Sequence, residues 1–164
     1  MNKEVLLVID VQTGTPAPII RKRGLIANIN AVIDSFRKRE AQIIFIQQKG
    51  YGHVSPELNK HADDLIVNKT KPNAFTSSEF NHAITQMTCE SLVVVGLMSN
   101  ACIQHTCLGA LDQNYSVTLL SDAHDSVIPI FQTVYNRKLR KRGVQTVTTN
   151  DYLARNWRNF LLYN

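Results

Sequence analysis

The chain is poor in cysteine, with three in 164 residues at positions 89, 102 and 107, and none of the paired spacing of a zinc site or a disulfide framework. A stapled secreted fold is therefore excluded, and each sulfur has to be judged singly. No apolar run approaches the roughly 20 residues of a membrane span, and no Gly-rich, phosphate-cradling loop follows any strand-like segment. There is no internal repeat, low-complexity tract or linker, and the N-terminus enters a strand pattern at once, without a signal-peptide apolar region. The expectation is one domain, residues 1–164, cytoplasmic and off the membrane. Acidic residues are the minority, 13 against 18 Lys and Arg, giving a formal charge of +5 and a pI near 9.2. Much of the excess sits in Arg21-Lys22-Arg23 and in Arg137-Lys138 with Arg140-Lys141-Arg142. Runs of that size read as solvated faces, so no nucleic-acid partner is expected.

What the chain does have is apolar material, 44% of its residues, enough for one well-filled core. It comes in alternating packets. Short buried-strand runs are expected at Val5–Ile9, Ile43–Ile46, Leu65–Val67, Leu92–Val95, Ser116–Leu120 and Val144–Val147. Helical spacing marks Leu25–Lys38, Ser78–Met87, Cys102–Gln113, Pro129–Lys141 and Asn150–Phe160. Gly50, Gly52 and Pro56 make 47–64 a long loop, and two prolines make 13–18 another. Strands alternating with amphipathic helices describe a parallel sheet covered on both faces, an α/β fold joined by right-handed crossovers.

In open sheets of this kind ligands sit beyond the carboxyl ends of the strands, where the strand order reverses. Asp10 follows the first strand, Lys69 lies just past the third and Cys102 just past the fourth. With the order 3-2-1-4-5-6, Asp10 and Cys102 face each other across that crevice. A thiol at the first turn of a helix is also favoured as thiolate by the helix dipole. Position alone leaves bland alternatives open. Cys102 is equally a small core residue, Asp10 a turn cap and Lys69 a solvated loop charge. Cys89 and Cys107 read as packing residues, and His105 as structural or solvent-facing. His124 and Asp125, after the fifth strand, either line the crevice or begin the next loop.

Four segments in order, LLVIDVQ (6–12), KTKPNAF (69–75), VVVGLMSNACIQHTCLGAL (93–111) and YSVTLLSDAHDS (115–126), resemble the isochorismatase-like cysteine hydrolases, which include nicotinamidases and carbamoylsarcosine amidases. The resemblance implies a three-layer α/β/α sandwich around a six-stranded parallel sheet. It implies that Asp10 is the acid/base, Lys69 the catalytic lysine and Cys102 the nucleophile. Met98 and Cys102 would supply oxyanion-binding backbone N–H groups, with a cis peptide joining Leu97 to Met98. Gln12, Asn73, Phe75 and His105 are candidate substrate-lining residues.

Such a combination suits hydrolysis of a small amide or other C–N-bonded compound through a thioester. The sulfur must be deprotonated to attack, the amine protonated to leave, and Lys69 would favour the thiolate and hold the aspartate. Nicotinamidases of this family carry a divalent ion on an Asp-x-His motif, which QQKGYGHVSPELNKHADD (47–64) lacks. Convergence of His53, His61 and Asp63 is not expected, so no metal and no cofactor are expected. Enzymes that cleave isochorismate's vinyl ether lack the nucleophilic cysteine, which disfavours that reaction here. The family often assembles, so a homodimer or homotetramer is expected. The alternatives are a non-catalytic binding or assembly domain of the same fold, and a receiver-like regulatory domain. A receiver would want paired acidic residues after the first strand, which are missing.

Overall fold

The structure is a computed structural model that describes residues 4–15 and 18–163, with side chains described as far as Asn156. Six strands form one parallel sheet: β1 (Glu4–Ile9), β2 (Gln42–Gln48), β3 (Leu65–Lys69), β4 (Ser91–Leu97), β5 (Ser116–Asp125) and β6 (Gln145–Val147), in the order β3-β2-β1-β4-β5-β6. The helices are α1 (Lys22–Lys38), α2 (Ser78–Gln86), α3 (Gln104–Asp112), α4 (Ile130–Lys141) and α5 (Thr149–Tyr163). The strand order is the expected one, and the layering is that implied by the resemblance. None of the described helices is long and apolar enough to cross a membrane.

Alternation along each strand divides the core in two, because successive side chains point to opposite faces. Leu6, Val8, Phe45, Val93 and Val95 pack on one face against Ile29, Ile33 and Phe36 of α1 and Tyr152 of α5. Leu7, Ile9, Ile44, Val67, Leu92 and Val94 pack on the other against Phe80 of α2, Cys107 and Ala110 of α3 and Leu139 of α4. β1 is buried on both faces, which is why its five residues Val5–Ile9 are uninterrupted by a polar one. Gly96 is where β4 comes closest to it. Its φ is +122°, and a Cβ there would lie 2.1 Å from the Ile9 carbonyl oxygen, so only glycine fits.

Several elements differ from expectation at the site edge. β2 and β3 run two residues further, to Gln48 and Lys69, because each polar end residue finds hydrogen-bond partners in the sheet rim. β5 does not stop at Leu120. Its pairing with β4 slips between Val94 and Gly96: Val94 pairs with Leu119 and Gly96 with His124, so five positions on β5 answer two on β4, three extra residues. Ser121 and Asp122 tolerate that because their polar atoms are satisfied, the Ser121 carbonyl by Asn136 and the Asp122 carboxylate by Thr149. The helix expected to open at Cys102 is instead two pieces, a π-turn over Ser99–Ile103 and then α3.

Candidate active site

Asp10, Lys69 and Cys102 meet. Asp10 ends β1 with φ +53°, a left-handed conformation that aspartate tolerates, and its N–H donates to the Ile46 carbonyl at 3.0 Å. Lys69 is the last residue of β3 and its side chain is 0% exposed. To reach Asp10 from β3 it crosses the end of β2, the strand between them, and Gln48 stands there as its register partner. The ammonium makes three contacts: 2.8 Å to Asp10 Oδ2, 2.7 Å to Gln48 Oε1 and 3.3 Å to Cys102 Sγ. Three N–H donors thus meet three acceptors, which is what a buried ammonium requires. Gln48 falls in the 47–64 stretch expected as loop, and its residue type alone marks no role. The strand order carries its signal, since any lysine on β3 aimed at β1 has to pass β2.

The charges balance differently from the expected preformed thiolate. Burial is the largest influence on Asp10 and raises its pKa above the ordinary carboxylate value even with Lys69 beside it. Burial, followed by the negative charge of Asp10, pushes the Cys102 thiol up to about 12, outweighing the pull of Lys69. Cys102 also lies inside the π-turn rather than on a free helix end, which weakens the dipole argument. The sulfur therefore keeps its proton at rest, beside the Asp10–Lys69 ion pair. Asp10 Oδ1 is buried and has no hydrogen-bond partner among the described residues.

A cavity of about 270 Å³ opens over the sulfur. Asp10, Gln12, Gln48, Met98 and Cys102 line it together with Thr15, Tyr51, Pro72, Leu97 and Ala101. The Leu97–Met98 peptide is cis. Met98 precedes the π-turn, its carbonyl accepts from Ala101 and Ile103, and its own N–H has no backbone acceptor among the described residues. Of the four lining candidates only Gln12 borders the cavity. The Asn73 side chain instead caps the short turn Ala74–Thr76 by accepting from the Phe75 N–H, and lies so close to Gly109 of α3 that a Cβ there would sit 2.5 Å from it. Phe75 packs edge-on against Phe80 at 4.9 Å. His105 is exposed on α3. No cluster of three or more His, Cys, Asp or Glu side chains able to hold a metal occurs among the described residues.

The turn carrying Cys102 is held from behind by a polar network. Ser99 Oγ meets His124 Nδ1 at 2.8 Å, and His124 Nε2 meets Asn136 Oδ1 on α4 at 2.9 Å. An amide oxygen can only accept, so Nε2 carries a hydrogen, and with the serine hydroxyl as donor to Nδ1 the imidazole is neutral. Burial lowers the His124 pKa in the same sense. Ser126 donates to Asn100 Oδ1 at 2.8 Å, and Arg21 clamps Asp125 with two hydrogen bonds, of 3.1 and 2.8 Å. His124 and Asp125 therefore support the turn carrying Cys102 and do not line the cavity. Cys107 is buried in the core and Cys89 half-buried, and all three cysteines are free.

The arrangement is a thiol, a proton acceptor, a fixed cation and a backbone turn at one end of a parallel sheet. The isochorismatase domain family matches residues 4–151 of the chain. Isochorismatase domain-containing protein 2 of Xenopus laevis is 27% identical over 155 residues, covering 93% of this chain and 75% of that protein. The ureidoacrylate amidohydrolase RutB of Rhizobium rhizogenes is 25% identical over 175 residues, covering 80% and 70% respectively. Among solved structures, the YcaC gene product of Escherichia coli, an octameric hydrolase of unknown specificity, superposes with a TM-score of 0.85 at 20% identity, over 97% of this chain and 84% of that one. With the sheet order, the crevice and a match over nearly the whole chain in agreement, this chain belongs to the isochorismatase family of hydrolases.

Proposed function

We propose that the protein is a cysteine-dependent hydrolase of a small amide or related C–N-bonded compound, working through a thioester. The observation that carries this is the single Lys69 ammonium bonded to both Asp10 Oδ2 and Cys102 Sγ in the floor of a cavity. Because the resting sulfur is a thiol, the proton leaves only when a carbonyl carbon is in place to take the electron pair. Asp10 accepts it as Sγ attacks, and the Lys69 charge stabilises the negative charge passing through the site. The oxyanion is received by the Met98 and Cys102 N–H groups. Asp10, now protonated, gives its proton to the departing nitrogen, so an uncharged amine leaves and the thioester stays. Water then attacks the thioester with Asp10 again as base, releasing the acid and restoring the thiol.

The amide class rests on Cys102 and on the amidohydrolase named among the relatives. Assembly as a homodimer or homotetramer belongs to the same reading, supported by the octameric state of the E. coli relative. The three free cysteines suit a reducing cytoplasm. The test is ammonia release from a panel of small amides and ureido compounds, with wild type and Cys102→Ala in parallel. Wild type is expected to turn over at least one member, and Cys102→Ala to lose at least a thousandfold. Comparable turnover by both proteins sinks the mechanism.

A further inference from the structure

The cation beside Cys102 and the Gln12 side chain are fully engaged, and the donors left over, such as Gln48 Nε2, are neutral. Gln12 donates through Nε2 to the Gln48 and Gly52 carbonyls at 3.1 and 2.9 Å, and its Oε1 accepts from the Gln48 N–H at 2.9 Å. The Thr15 hydroxyl donates to the Gln12 carbonyl at 2.8 Å. Gln48 Oε1 is taken by Lys69, whose three donors are all engaged. The rest of the wall is Tyr51, Pro72, Leu97, Met98 and Ala101, apolar apart from the Tyr51 hydroxyl and the Met98 thioether and N–H, none of which carries a charge. The one charged side chain on the lining is Asp10, an anion. A second cavity of about 340 Å³ adjoins through Gln12, Thr15 and Leu97, and the cation there, Lys22, is ion-paired with Glu57.

We propose that the site takes electrically neutral amides with an apolar body and rejects amides that carry a carboxylate, an inference that rests on the hydrolase reading for the identity of the reacting group. A carboxylate entering this cavity would lose its water, meet Asp10, and find no unengaged cation among the described lining residues. An alkyl chain loses nothing and gains by leaving water. The whole molecule pulls the other way, since a formal charge of +5 attracts anions at long range. Selectivity for neutral ligands must therefore come from the cavity itself.

The experiment measures binding apart from turnover. Iodoacetamide alkylation of Cys102 is followed by mass of the Cys102 peptide, which keeps the half-buried Cys89 out of the readout. Hexanamide and its carboxylate counterpart adipic acid monoamide serve as protectants at pH 7.5. Hexanamide is expected to protect at a concentration at least tenfold lower. In Tyr51→Arg, which places a cation at a rim position already 41% exposed, that preference is expected to shrink by at least tenfold or reverse. Equal or better protection of wild type by the monoamide overturns the proposal, as does failure of both compounds to protect at 50-fold excess over the reagent, or a Tyr51→Arg preference unchanged from wild type. Ammonia is measured in the same mixtures without reagent. Protection by hexanamide with no ammonia from any amide would remove the hydrolase reading and still support the neutral, apolar cavity.

Discussion

Lys69 shows how much of this site rests on single atoms. Its ammonium has no exposure and no spare donor, so removing any acceptor leaves a buried charge short of a partner. Gln48→Leu keeps the volume and removes the 2.7 Å contact without touching Asp10 or Cys102. A lost hydrogen bond to a buried charge costs about 1–3 kcal/mol, so kcat/KM is expected to fall about fivefold to a hundredfold, in steady-state assays on whichever amide is turned over. Unchanged kcat/KM would mean that Gln48 only fills space. Asp10, Lys69 and Cys102 were legible in the sequence because each is a chemically distinctive residue just past an apolar run. Gln48 was not, since a glutamine after a strand is ordinary until the strand order puts it under the lysine. The protonated thiol was also hidden, because it depends on burial and on the nearness of Asp10 more than on the helix end. Asn73, Phe75 and His105 were misplaced for a related reason: being close in sequence to a site residue does not set the direction of a side chain.

Among the elements, β5 is the least regular and the most consequential. Three extra residues let it run past its expected end and deliver His124 behind Ser99, so the π-turn is braced by the next strand and, through Asn136, by α4. Periodicity ended the strand at Leu120 because Ser121 and Asp122 break an apolar run, and only their partners reveal why they are tolerated. The brace has a pH signature. His124 is buried and its pKa is lowered, with Asp125, Asp122 and Arg21 among the charges nearby. The folded state therefore resists a proton that the unfolded chain accepts below about pH 6.5. The stability is complete above that pH and is lost as pH falls toward the lowered value, at up to about 1.4 kcal/mol per pH unit. Urea unfolding between pH 7.5 and 5 is expected to show a steeper loss for wild type than for His124→Gln. Asp10, whose raised pKa acts in the opposite direction, is common to both proteins and cancels in the difference. Parallel curves would remove His124 from the account.

At the scale of the molecule, the alternating runs made the fold readable: strands β1 to β5 carry apolar side chains on both faces, and helices had to cover both. The two resulting core layers touch through the sheet alone, which makes them separable. Phe36→Leu loosens the α1 layer, where the ring stacks on Tyr152 at 6.4 Å, and Phe80→Leu loosens the α2 layer, where the ring meets Phe75. Each is expected to cost about 1–3 kcal/mol in urea unfolding, and the double variant to equal their sum within about 0.5 kcal/mol. A larger deviation would mean that β1 transmits strain between the layers. The sheet order also governs when the chemistry exists. Asp10 and Lys69 are 59 residues apart, Lys69 and Cys102 33, and they meet only after β3 has docked on β2 and β2 on β1. Long-range closures of this kind come late in folding. A nascent or half-folded chain thus carries the Cys102 sulfur without Asp10 or Lys69 beside it, as an ordinary thiol, and the proposed chemistry would exist only on completion.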